Sequence, residues 1–146
     1  MSGKLPDFDL SGFLPYRLAV AAQHVSAGLA GLYRNRFGIS VAEWRVLVHL
    51  MDSGEVSVRE LGQMVSLEKS KASRAATRLA EAGLIEKTEN EADRRLVSLS
   101  LTDQGRALMA ELLPLAIEFQ NQLEARLAGH MAALNAALDR LMEEKP

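Results

Sequence analysis

The sequence predicts a mainly α-helical fold carrying one small β-hairpin, and three observations predict it. Between Ser57 and Leu101 the chain reads as a short capped helix, a second helix with one polar face, and two strands around a basic tip. On both sides of that stretch apolar residues recur at three- and four-residue spacing, the mark of long amphipathic helices. Glycines 38, 54, 83 and 129 fall where the periodic segments end. The order is a helix-turn-helix followed by a wing, flanked by terminal helices.

Composition bounds the function. At 146 residues, with 48% hydrophobic and 25% charged residues, the chain is most simply one globular domain able to bury a core. Its formal net charge of −2 argues against a general polyanion binder, so any contact with nucleic acid must come from a local basic patch. There is no cysteine, which excludes disulfides, thiol redox sensing and Cys-containing zinc sites. The first ten residues lack a basic region leading into an apolar run, and nowhere do eighteen apolar residues follow one another. The chain therefore reads as cytoplasmic, with no membrane partner.

Residues 1–10, broken by Gly3 and Pro6, read as an arm without regular structure. From about Ser11 to Arg36 a long helix is expected, with Pro15 tolerated in its opening turn and Leu14, Leu18, Ala21, Val25, Leu29 and Leu32 forming an apolar stripe. Gly38 stops it. Ser40 to Glu43 is a capping box, with Ile39 and Trp44 as its hydrophobic staple, and Trp44, Leu47, Val48 and Met51 are expected on the buried face of the second helix. Gly54 ends that helix.

Ser57-Val58-Arg59-Glu60 is a second capping box, stapled by Val56 and Leu61. Ser66 can cap the following helix, with Glu68 in its first turn, and the helix should run to about Ala82 before Gly83. Ala72, Ala75, Ala76 and Leu79 share a small apolar face that allows close packing, whereas Ser70, Ser73, Arg74, Thr77 and Arg78 follow the same spacing on the other side. Hydroxyls and guanidinium groups are what read base edges and grip phosphates. From Lys69 to Arg78 there are four basic residues (Lys69, Lys71, Arg74, Arg78) and no acidic one. Residues 84–88 and 96–101 read as strands, and between them Asp93 is close enough to hold one guanidinium of the Arg94-Arg95 pair, which suits a minor groove or a phosphate backbone.

Thr102 can cap a long helix carrying Leu108, Leu112, Leu115, Phe119, Leu123 and Leu127, bent by Pro114 near Glu111 and broken at Gly129. A last helix, about His130 to Glu143, carries Met131, Leu134, Leu138 and Leu141 on one side. These terminal stripes exceed what a small winged helix can cover, so a homodimer is expected to bury them.

The run from Ser57 to Gly105, with Asp93-Arg94-Arg95 and the following Leu101-Thr102-Asp103-Gln104-Gly105-Arg106, resembles the MarR family of bacterial winged-helix transcription regulators. The likeness extends over almost the whole chain. It implies a single domain over residues 1–146, with dimerisation helices at 11–36 and 103–146 and a DNA-binding winged helix at 40–101. It also implies a sequence-specific regulator, a repressor that binds a palindromic operator on double-stranded DNA as a homodimer. In that family the wing aspartate orients an arginine that enters the minor groove, which by position points to Asp93 with Arg94 or Arg95. Many members release DNA when a small aromatic acid or related anion enters a cleft beside the winged helix. Here Tyr16, Arg17, His24, Trp44, Arg45 and His49 are the candidate lining for an aromatic carboxylate or thioester, supplying aromatic walls, a guanidinium and imidazoles.

Other classes leave weaker traces. His24, His49 and His130 lie in three different helices, without a paired zinc-helix motif, a nucleophile arrangement or a Gly-rich phosphate loop, so an enzyme is not expected and no cofactor is implied. A metal-responsive regulator using His24 and His49, and a winged helix that binds protein, are the alternatives.

Overall fold

The computed structural model describes residues 3–64, 69–89, 92 and 97–143. The opening arm has no regular structure except for a short 3-10 turn, Leu10–Gly12, that Asp9 caps by accepting from the Ser11 backbone N–H. The Ser11 hydroxyl also donates to Asp9 at 2.6 Å and holds that carboxyl below its ordinary range. Because this turn ends in extended backbone at Phe13, helix α1 starts later than Ser11 and spans Leu14–Phe37, with proline in its first turn. Gly38 stops it in the left-handed region at φ 67°.

Helix α2 (Val41–Ser53) begins as its capping box dictates. The Ser40 hydroxyl accepts from the Glu43 N–H at 3.1 Å and donates to the Glu43 carboxylate at 2.9 Å. Its buried face differs from the expected one: Val46, Leu47 and Leu50 are buried, Trp44 and Val48 are half-buried, and Met51 is 41% exposed. The reason is tertiary. Helix α2 packs against α1, against three later helices and against the sheet, so its buried arc is set by several neighbours rather than by one apolar stripe.

Strand β1 (Glu55–Ser57) was not evident in the sequence. It pairs antiparallel with β3 (Val97–Leu101), which also pairs with β2 (Ile85–Glu89), giving a three-stranded sheet in the order β1-β3-β2. The expected two-stranded hairpin is thus extended by a short edge strand immediately before α3 (Val58–Met64). Helix α4 (Lys69–Glu81) ends at Gly83, at φ 78°, where the Gly83 N–H donates to the Ala80 carbonyl and the Leu84 N–H to the Leu79 carbonyl. Leu84 therefore still belongs to the helix stop, which is why β2 begins at Ile85 and not at Leu84. The expected cap of α4 at Ser66 and Glu68 lies outside the described residues.

Thr102 caps α5 (Asp103–Leu127), accepting from the Gly105 N–H at 3.0 Å and donating to the Gly83 carbonyl at 2.7 Å. One hydroxyl therefore ties the start of α5 to the end of α4. Helix α5 continues through Pro114, and its stop is Ala128 in the left-handed region, one residue before Gly129. Helix α6 spans Met131–Met142.

The core lies between Tyr33 of α1 and Leu112 of α5. Val56, Leu61, Ala72, Ala75, Ala76, Leu79, Ile85 and Leu99 fill its centre, each under 4% exposed. Outside it the apolar stripes are uncovered: Leu14, Leu18, Val25 and Leu32 on α1, Ile117 on α5, and Leu134 and Leu141 on α6 are all exposed. Among the described residues no helix is long and apolar enough to cross a membrane.

Candidate nucleic-acid interface

The geometry of α4 follows from its two faces. Ala72, Ala75, Ala76 and Leu79 are buried, and their small side chains let α4 lie close against α2 and α3. Ser70, Lys71, Ser73, Arg74, Thr77 and Arg78 are exposed in consequence. Lys69 opens the helix, and its side chain lies outside the described residues. Upstream, the Ser57 hydroxyl accepts from the Glu60 N–H at 3.1 Å and donates to its carboxylate at 3.0 Å, so α3 starts at a set point.

Several of these exposed groups are already oriented. Arg74 Nε donates to the Ser70 carbonyl at 3.3 Å, and the Thr77 hydroxyl donates to the Ser73 carbonyl at 3.0 Å. Arg78 Nε lies 3.4 Å from Glu43 Oε1 of α2, the oxygen that also accepts the Ser40 hydroxyl. The run from Lys69 to Arg78 holds no acid, and the carboxylate that meets Arg78 comes from 35 residues upstream. Such a surface presents hydroxyls and cations, with donors to spare, to a polyanion alongside the helix. The hairpin stands beside it, with Glu86, Lys87, Thr88 and Glu89 exposed on β2. Asp93, Arg94 and Arg95 lie outside the described residues.

The six residues read as a ligand lining are not brought together within one chain. Tyr16 and Arg17 stand exposed in the first turns of α1, whereas α1 reaches α2 near its other end, where the Tyr33 ring packs at 4.6 Å on Trp44. Tyr16 and Tyr33 are about 25 Å apart along the helix axis at 1.5 Å per residue. His24 lies instead in an open groove between α1 and α5, lined by Ala21, Val25, Gly28, Phe119, Gln122, Leu123 and Arg126. His49 Nδ1 lies 2.8 Å from the Arg45 carbonyl, a contact within α2. Among the described residues no group of three or more His, Cys, Asp or Glu side chains could hold a metal ion.

Two residues escaped the sequence reading. Tyr33 is wholly buried, its hydroxyl has no hydrogen-bond partner among the described residues, and desolvation pushes the phenol up to about 12. Its spacing of four from Leu29 and Phe37, both packed on the core, was the available signal. Glu43 was read as a capping residue alone. No local signal shows its contact with Arg78, because the two meet only when α2 and α4 pack.

The order α2-β1-α3-α4-β2-β3, with a helix pair and an antiparallel strand pair between two long helices, defines a winged helix-turn-helix fold. Comparison with known proteins carries this further. The sequence model of the MarR family matches residues 37–96. A MarR family transcriptional regulator from Silicibacter pomeroyi is 31% identical, with a TM-score of 0.76 over 92% of this chain and 99% of that one. The chain belongs to the MarR family. The transcriptional repressor MdtR of Bacillus subtilis is 36% identical over 76 residues, 52% of this chain and 49% of that protein. The chain spans about half to three fifths of the length of the first curated relatives it matches. A mutant MarR from E. coli, solved in complex with operator DNA, shares the fold at a TM-score of 0.79 and 23% identity, over 89% of this chain and 94% of that one.

Proposed function

We propose that this chain is a cytoplasmic, sequence-specific DNA-binding transcription regulator, a repressor that acts as a homodimer on a palindromic operator. One observation carries the reading: α4 exposes hydroxyls, guanidinium groups and an ammonium group along one face while its opposite, alanine-rich face is buried. A solvated helix surface in a chain of net negative charge has no need of four cations without an acid between them. On this reading Ser70, Ser73, Arg74 and Thr77 face bases, and Lys69, Lys71, Arg78, Arg94 and Arg95 supply the phosphate or minor-groove contacts, with Asp93 orienting a wing arginine. Residues 40–101 form the DNA-binding part, and residues 11–36 and 103–146 the dimerisation helices. The uncovered apolar stripes of α1, α5 and α6 support the dimer, since isolated surfaces of that kind are costly in water.

The regulator is further proposed to release DNA on binding a small aromatic carboxylate or thioester. Of the six candidate residues His24 lines the groove between α1 and α5, which the guanidinium of Arg126 and the ring of Phe119, both outside the six, also line. Tyr16, Arg17, Trp44, Arg45 and His49 would join such a site only through a partner subunit or a shift of α1. A ligand acts here only by binding better to the form whose two α4 helices are wrongly spaced for successive grooves.

The test is selection of duplexes from a random-sequence pool, followed by footprinting at saturation. A rough palindrome with half-sites about 10 bp apart is expected. Protection of a single half-site would refute the dimeric reading, and the absence of any enriched duplex would refute DNA recognition. The protein-binding alternative predicts no steep loss of DNA retention as salt rises.

A further inference from the structure

We infer that Glu43 is a positioning residue for the DNA surface, holding Arg78 so that its guanidinium is presented to a phosphate. The inference rests on the DNA-binding reading above and adds to it an acidic residue from a different helix. Glu43 Oε1 accepts two bonds, 2.9 Å from the Ser40 hydroxyl and 3.4 Å from Arg78 Nε. The first of these comes from the serine hydroxyl that also caps α2 by accepting from the Glu43 N–H, so the carboxylate is held before it meets the arginine.

The two side chains are not equally wet. Glu43 is 14% exposed and Arg78 52% exposed, so the carboxylate stands behind the guanidinium as seen from solvent. A guanidinium held through Nε keeps two terminal nitrogens in a fixed plane, and those are the donors that match a phosphate. A long side chain ordered in advance loses less freedom when it binds. An ion pair whose arginine is this exposed contributes little to stability, which makes a purely structural role a poor account of a doubly bonded carboxylate.

The location ties the contact to the rest of the molecule. The next residue, Trp44, packs on Tyr33 of α1, so the first turn of α2 touches α1 on one side and α4 on the other. A displacement of α1 against α2 would shift Glu43 and, with it, the arginine at the end of α4.

A bare electrostatic view predicts the opposite outcome. An acid near a DNA surface repels phosphate, so removing its charge should tighten binding. The experiment uses the full chain and a duplex that it selects from a random pool, with affinity measured over a series of salt concentrations. Arg78→Ala and Glu43→Gln are each expected to weaken binding about three- to tenfold and to lower the salt slope by about one. The double variant should bind no worse than Arg78→Ala alone. Glutamine is the other residue that a capping box accepts at this position, so α2 keeps its start, and an unchanged melting temperature checks this. Should Glu43→Gln unfold, Glu43→Asp retains the charge but falls a methylene short of Arg78, and it is expected to weaken binding equally. Tighter binding by Glu43→Gln, additive losses in the double variant, or parental binding by Glu43→Asp overturns the inference while leaving DNA recognition intact. A parent chain that enriches no duplex refutes both.

Discussion

Tyr33 shows what a single buried atom can do to the stability of this protein. Its ring fills the space between α1 and α2 against Trp44, but the hydroxyl is buried without a partner among the described residues. Leaving a buried donor unpaired costs about 1–3 kcal/mol, so Tyr33→Phe is expected to hold or raise the melting temperature. The pH dependence follows from the same burial. The folded phenol titrates at about 12, above its ordinary value of 10.0, so folded and unfolded chains are both protonated below pH 10 and the folded state keeps its proton longer above it. The contribution of Tyr33 to stability is therefore constant below pH 10 and falls as the pH rises toward 12, and Tyr33→Phe should flatten that alkaline limb in denaturation curves. Gly105 is the opposite case, a residue whose absent side chain matters. A Cβ there would overlap the Leu84 carbonyl oxygen where α5 leaves the sheet. Gly105→Ala should cost about 1–3 kcal/mol in urea unfolding, and an unchanged midpoint would show that the Leu84 carbonyl can move aside.

At the scale of the element, α4 separates its functions by face. Arg74, at the middle of the exposed side, has its Nε on the Ser70 carbonyl and its remaining donors available to a base edge. Arg74→Ala is expected to cost about 1–3 kcal/mol in operator affinity and to relax preference at one base position. Lys71→Ala should instead weaken all duplexes alike and lower the salt slope by about one. Parallel effects of the two variants on preference would mean that the reading face is rotated around the helix. The sequence periodicity was reliable for α4 because this helix has one dry and one wet side. It was less so for α2, where Met51 fits the expected stripe but is exposed, and Val46 and Leu50 are buried off it. A helix covered from several directions no longer buries a single stripe.

The whole molecule leaves its terminal helices half-finished as a single chain. Leu14, Leu18, Val25, Ile117 and Leu141 have no cover, and the packed core ends at Leu112. Truncation after Gly105 removes Met109 and Leu112, which are 2% and 0% exposed, along with the partner stripes of α5 and α6. The shortened chain is expected to aggregate or lose its cooperative transition, and sedimentation of the full chain should give twice the monomer mass. A monodisperse, cooperatively folding truncation would show that the winged part is independent of its flanks.

What the sequence determined by itself is what short-range chemistry controls. The capping boxes at Ser40 and Ser57, the cap at Thr102, the glycine stops at Gly38, Gly54 and Gly83, and the two faces of α4 depend on residues within a turn or two of one another. Local hydrogen bonds and helical spacing suffice for these, and the family resemblance added their order in space. Tertiary structure decided the rest. Strand β1 exists because Glu55–Ser57 finds a partner in β3 some forty residues later, not because three residues carry a strand pattern. The pairing of Glu43 with Arg78, the burial of Tyr33, and the separation of Tyr16 from Trp44 all depend on which helix faces which. That choice is made by packing across the core, where contacts between distant residues outweigh the preferences of each segment alone.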